Sequence, residues 1–169
     1  MSATGVAWLK AMDLTPMRAA DSATEMVQVV LPNDANPLGF ILGGTVMHLI
    51  DIAGAIACHR HSRTLLVTAA VDDLQFLHSI KVGDLIILKA RVTCAFTTSL
   101  EVQVDVFCEE ILTGNRRMTS TAFLTFVAID RAGAKVRVPP LLVETDEERR
   151  VCAEAQGRRE MRLKRRRKV

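Results

Sequence analysis

The sequence predicts an α+β fold in which one curved antiparallel sheet wraps a single buried helix. Three observations carry that reading. The run TVMHLIDIAGAIACHRH is apolar almost all round and contains no proline, so it reads as a helix covered on most sides and not as an amphipathic surface helix. After Arg63 the pattern changes to period two and stays so through four segments. Short turns join those segments, which makes neighbours antiparallel, and the body offers no second helix to cover the first.

The elements follow in order. Residues 1–22 show weak periodicity and read as an N-terminal extension whose Trp8 and Leu9 dock on the body. Thr24 to Leu31 is β-branched enough for a first strand, and Pro32, Asn33 and Asp34 end it. The loop NDANPLGFILGG leads into the helix. A strand is expected in TLLVTAAVDDLQF, then a turn at Lys81 to Asp84. In Leu85 to Phe96, Ile86, Leu88, Ala90, Val92, Cys94 and Phe96 share one face and Lys89, Arg91 and Thr93 the other. In Ser99 to Glu109 the apolar face is Leu100, Val102, Val104, Val106 and Cys108. Arg117 to Ile129 supplies a further strand. Past Pro139 and Pro140, Thr145 and Glu148 form a capping box for a last, peripheral helix. The division is thus 1–22, a body at 23–140, and a helix with a basic tail at 141–169.

Composition narrows the function. The chain has 169 residues, enough for one domain, with 49% hydrophobic and 24% charged residues, a globular balance. Aromatics are only 4% with no Tyr, which argues against a stacking surface for single-stranded nucleic acid. The net charge of +3 hides a basic C-terminus from Arg158 to Val169, so the body itself is mildly acidic and no duplex-binding stripe is expected. That tail reads as solvated and frayed. Cys58, Cys94, Cys108 and Cys152 stand far apart without zinc spacing, so free core thiols in a reducing compartment are expected, not disulfides. No segment is long and uncharged enough to insert in a membrane, and a cytoplasmic location is expected.

One residue does not suit its surroundings. Asp51 stands between LI and IAGAIA, where a carboxylate is costly unless it is paired or used. Two readings remain: a pairing with a neighbouring loop, or a chemical role. His48 and His59 share its helical stripe, but no ligand cluster joins them, so they read as packing residues and no metal is expected. Gly43 and Gly44 stand where the helix begins and its N–H groups are unpaired, an end able to hold an oxyanion. The same glycines also suit a turn and close packing. With Asn36 in the entering loop, the set is an oxyanion donor, a carboxylate and a carboxamide, which together suit acyl transfer.

The segment NPLGFILGGTVMHLIDIAGAIACHRH resembles the NxxGxxxGGxxxxxxD element of the hotdog-fold acyl-CoA thioesterases, the group with the bacterial short-chain and brain-type acyl-CoA hydrolases. VTAAVDDLQFLHSIKVGD, TSLEVQVDVFCEEILTGNRRMT, FLTFVAID and VPPL continue the resemblance in order from about Thr24 to Leu142. It implies hydrolysis of fatty acyl-CoA to free CoA and a carboxylic acid, with no cofactor, since coenzyme A belongs to the substrate. Asp51 and Asn36 match the family's catalytic pair, and Thr68 its threonine near the reacting carbonyl. Asp51 would act as general base or as nucleophile, two routes that stay open. The resemblance also implies homodimers joined edge to edge, with Asn36 and Asp51 of each site on different subunits, assembling into hexamers. His78 stands where the family often has Pro and reads as a turn residue, with an added base as the other possibility. A noncatalytic acyl-CoA sensor, a hydroxyacyl thioester dehydratase and nucleic-acid binding through the tail are the competing readings. The first lacks a DNA-binding segment, the second its His and Glu pair, and the third a basic body.

Overall fold

A computed structural model gives the fold of residues 14–166, so Trp8 and Leu9 lie outside the described residues. The main sheet has five strands: β2 (Thr24–Val29), β3 (Leu65–Asp72), β4 (Leu85–Ala95), β5 (Ser99–Glu109) and β6 (Arg116–Ile129). Their spatial order is β2-β4-β5-β6-β3, antiparallel throughout, which leaves β2 and β3 as edges. Helix α2 (Gly43–Ser62) crosses the inner face. A short N-terminal strand, β1 (Met17–Arg18), precedes one helical turn, α1 (Ala19–Ser22), and pairs in parallel with β7 (Leu141–Leu142). The last helix is α3 (Asp146–Arg166). The α+β hotdog architecture read from the sequence is what the chain adopts.

The core lies between α2 and the inner sheet face. Ile86, Leu88, Ala90 and Val92 of β4, Leu100, Val102, Val104 and Val106 of β5, and Leu124, Phe126 and Ala128 of β6 are all buried there. Each large side chain so covered contributes about 1.5–3 kcal/mol. They meet Val46, Leu49, Ile50, Ala53, Ala57 and Cys58 of the helix. At Gly54 the two layers come closest, since a Cβ there would stand 3.1 Å from Val102 Cγ1 and 3.2 Å from Phe126 Cε2. The tight-packing glycine is therefore Gly54, in the middle of the helix.

The helix is not covered on most sides, as its composition predicts. Leu49, Ile50, Ala53, Ala57 and Cys58 are buried, whereas Met47 is 46% exposed and His48, Asp51, Ile52, Ala55 and His59 form a stripe that one chain leaves open or half-open. A single sheet can cover only one side of the cylinder.

Register shifts occur in three strand pairs, β4–β5, β5–β6 and β3–β6, and two of them bear on the residues that meet α3. In β4 the register shifts between Val92, paired with Val102, and Cys94, paired with Glu101. Cys94 thereby turns from the core face to the outer face, where it is bonded to Cys152 of α3. This corrects the expectation of four free thiols: a sequence separation of 58 hides the pair, and the bulge brings the Cα atoms to 4.8 Å. Cys58 and Cys108 are free and buried, and burial pushes the Cys58 thiol well above its ordinary range. In β3 the second bulge lies between Thr68 and Ala70.

The capping box at the start of α3 forms as expected. Glu148 N–H donates to Thr145 Oγ1 (3.1 Å), and the Thr145 and Glu144 amides donate to Glu148 Oε2 at 3.0 and 2.8 Å, holding that carboxyl below its usual range. The expected frayed tail is corrected too, because α3 stays helical to Arg166 and docks on the outer face of the sheet. Arg158 reaches the fully buried Glu101 with two hydrogen bonds (2.7 and 3.2 Å) and stacks on Phe123 at 3.8 Å, while Arg162 pairs with Asp72. Guanidinium groups thus find aromatic and carboxylate partners on the sheet, which composition alone does not reveal.

Candidate active site

Asn36 sits in a tight loop ahead of α2. Its N–H donates to Phe40 O (2.8 Å), and its Oδ1 accepts from Leu38 N–H (2.9 Å) and Phe40 N–H (3.3 Å). Gly39 takes the left-handed φ of 79° that closes this loop. With Oδ1 occupied by the backbone, the carboxamide NH2 is the part of Asn36 left to meet a ligand.

Gly43 opens α2. Leu42 at the cap supplies no side-chain hydrogen bond and the first turn holds no acidic residue, so the helix N-terminus keeps its donors for an anion. A cleft of about 350 Å³ lies against it, lined among others by Asn36, Gly43, Phe76, His78, Thr119 and Ser120. A Cβ on Gly43 would stand 3.4 Å from the Phe76 ring, whereas one on Gly44 would meet nothing within 4 Å. Gly43 keeps the backbone bare at the cleft. His78, read from sequence as a turn residue, is exposed and lines this same cleft.

Asp51 lies two turns further along. Thr68 Oγ1 donates to its Oδ1 at 2.7 Å, a short hydrogen bond to a carboxylate. The bulge in β3 follows Thr68 directly, and Thr68 faces inward opposite Phe126. His48 and His59 lie on the same half-open stripe; His59 Nδ1 is 2.8 Å from Thr64 O.

One chain therefore keeps the candidate residues in two separate groups. Asn36 and Gly43 gather at the helix N-terminus, and Asp51 and Thr68 gather eight residues on, about 12 Å along the axis at 1.5 Å per residue. Neither Asp51 nor Thr68 lines the cleft that holds Asn36.

Residues 38–114 match the model of the Thioesterase superfamily. An uncharacterized acyl-CoA thioester hydrolase of Bacillus subtilis is 42% identical over 119 residues, 70% of this chain and 69% of that protein. The chain belongs to this family of acyl-CoA thioester hydrolases. Among solved structures, an apo-hexameric acyl-CoA thioesterase superposes with a TM-score of 0.84 at 39% identity, covering 89% of this chain and 97% of that one. An acyl-CoA hydrolase from Staphylococcus aureus, solved in complex with butyryl coenzyme A and coenzyme A, gives 0.81 at 33% identity, covering 89% and 92%. Solved variants of that hydrolase replace an Asn, an Asp and a Thr by Ala, at successive spacings of 15 and 17 residues. Mammalian family members also match, and the chain spans only 23% to 38% of their length.

Proposed function

We propose that this thioesterase-family protein hydrolyses fatty acyl-CoA at a site completed across two subunits. The observation that carries the proposal is the hydrogen bond from Thr68 to Asp51, which holds an acid on the half-open stripe of the helix. The family's carboxamide waits about 12 Å away at the helix N-terminus. The spacings of 15 and 17 between Asn36, Asp51 and Thr68 equal those of the three residues replaced in the Staphylococcus aureus hydrolase, which supports the same trio here.

Thioester cleavage places negative charge on the carbonyl oxygen. The N–H groups at Gly43 and Gly44 point where they can take up that charge as it grows. Asn36 orients the carbonyl or the attacking water through its free NH2. Asp51 accepts a proton from water as general base, or attacks as nucleophile through an anhydride, and Thr68 fixes its rotamer. Water is the only co-substrate, so the reaction needs no cofactor.

The second subunit is called for by exposed apolar surface. Val67 and Val71 on the free edge β3 are 44% and 45% exposed, and Phe76, Leu77 and Met47 nearby are 50%, 60% and 46% exposed. Unpaired edge strands with apolar side chains invite a second strand. Joining the edges of two chains would pair β3 with its twofold copy, cover the open stripe of α2, and bring one chain's Asp51 toward the other's Asn36. Hexamers then follow as three such dimers, the state named for one structural neighbour. Among the described residues no helix is long and apolar enough to cross a membrane. Buried free Cys58 and Cys108 suit a cytoplasmic setting, while the Cys94–Cys152 bond is of a kind rare in a reducing compartment; a role in fatty acid metabolism follows from the fatty acyl-CoA reading alone.

The test is thiol release from acyl-CoAs of graded chain length, with wild type beside Asp51→Ala. Loss of roughly a hundredfold or more in the variant is expected for removal of a base or nucleophile. Equal rates for the two proteins would remove Asp51 from the mechanism.

A further inference from the structure

The docking of α3 ties together two features that share one geometry. Thr68 and Asp72 are four residues apart and strict alternation would place them on one face of β3. The bulge between Thr68 and Ala70 puts them on opposite faces: Thr68 inward on Asp51, Asp72 outward on Arg162. The bulge in β4 does the same to Val92, which stays in the core, and Cys94, which is bonded outward to Cys152. At these two of the sheet's three bulges, the residue turned outward is the one that α3 holds.

The helix reaches them in a single straight course. Cys152 lies on β4, Arg158 on Glu101 of β5 and Phe123 of β6, and Arg162 on β3. Ten residues of helix rise about 15 Å, which matches three strand spacings of about 4.8 Å. Arg158 and Arg162 also grip both members of one rung, since Phe123 pairs with Asp72 at the end of β3. That rung is the last one after the bulge on a strand that is, among the described residues, free along its other edge.

We propose that Arg162 is a positioning residue for the Thr68–Asp51 contact, and that α3 is a strap fastened by the Cys94–Cys152 bond. Holding Asp72 outward holds the bulge, and the bulge keeps Thr68 turned toward Asp51. The strap answers to thiol–disulfide exchange with a dithiol. A thiolate of the dithiol attacks the Sγ of Cys152, the less buried of the two residues, and forms a mixed disulfide while the Cys94 thiolate leaves and takes a proton from solvent. The second thiol of the reagent closes a cyclic disulfide and releases Cys152, so two electrons pass from the dithiol to the protein. The kinetic part of this inference rests on the acyl-CoA hydrolase reading; the bulge itself does not.

The experiment pairs turnover with amide hydrogen exchange of residues 66–72, on the oligomeric protein. Thioester loss is followed by ultraviolet absorbance, because an added dithiol interferes with thiol reagents. Arg162→Gln is expected to lower kcat by roughly tenfold or more with KM within about twofold, as misplacement of a catalytic group does, and to speed exchange in that segment. Arg162→Lys keeps the charge and restores both. Dithiothreitol produces the same two changes in the wild type and none in Cys152→Ser. Arg150→Gln, which removes exposed pairs on the same helix, leaves both at wild-type values. Unchanged exchange in Arg162→Gln, a rise in KM alone, or a dithiol response that persists in Cys152→Ser overturns the inference. A wild type that cleaves no acyl-CoA overturns the proposed reaction instead, and the exchange data still decide the strap.

Discussion

If one site draws Asn36 and Asp51 from different chains, two dead variants can make a live enzyme. The separation of about 12 Å within one chain sets the expectation, because no side-chain motion joins groups two helical turns apart. Asn36→Ala and Asp51→Ala homo-oligomers should each be nearly inactive. In a dimer with one chain of each kind, one site carries both lesions and the other neither. Random co-refolding of equal amounts gives half mixed dimers, each with one of its two sites intact. The mixture should therefore recover about one quarter of wild-type activity per chain, by the equivalence of sites across a twofold axis. The assay is thiol release after co-refolding, with the mixed dimer content read by native mass spectrometry. Activity should rise in proportion to that content. A mixture with confirmed mixed dimers that stays as inactive as its parents would refute the shared site, because residues supplied by one chain leave every site with one lesion.

Four further substitutions test single positions. Thr68→Val keeps the shape but loses the 2.7 Å hydrogen bond to Asp51; at about 1.5 kcal/mol for a bond to a charged group, kcat should fall roughly tenfold in steady-state thiol release. Gly54→Ala should destabilise the fold by about 1–2 kcal/mol in chemical denaturation, because crowding against Val102 and Phe126 outweighs the gain in helix propensity. Gly157→Ala on α3, where a Cβ meets nothing within 4 Å, should stabilise it by about 1 kcal/mol. His61 is buried with Nε2–H donating to Pro139 O, and desolvation lowers its pKa more than that bond raises it. A folded pKa below the unfolded value near 6.5 means the unfolded chain binds more protons, so stability from His61 is present above about pH 6.5 and lost as pH falls. Melting temperature should drop on acidification, and His61→Gln should flatten that drop.

Much of the fold is legible because burial leaves a period behind. The face Leu100, Val102, Val104, Val106 is read correctly as core from alternation alone, and each of the four is fully buried. Thr145 and Glu148 announce the start of α3 because a capping box is a local arrangement with a local signature. Asp51 is legible as a misfit, although it owes its place to a stripe left open by one chain and not to a buried cage. Asn36 is legible only beside the glycines and Asp51, since a lone Asn in a loop with Pro and Gly is an ordinary turn residue. His78 stands out in the sequence only as a departure from the family's Pro, because a loop histidine reaches a cleft through the path of residues 73–79, where Asp73 takes a φ of 53° and ends β3.

What alternation could not supply is parity. A bulge adds one residue to one strand, so every side chain beyond it changes face while the sequence still looks regular. Cys94 was counted with Val92 for that reason, and the count made Cys152 a thiol without a partner. The basic C-terminus was misjudged only partly by the same route: Asp72, which Arg162 meets, is outward because of the bulge in β3, whereas Glu101, which Arg158 meets, is outward by the plain alternation of β5. Opposite charges that are 57 and 90 residues apart leave no mark on a linear pattern. They become readable once the faces are known, because a fully buried Glu101 demands a cation with rigid, paired donors and the helix crossing that face offers Arg158. The bulge that turns Asp72 outward to Arg162 leaves Thr68 on the inner face, where it donates to Asp51.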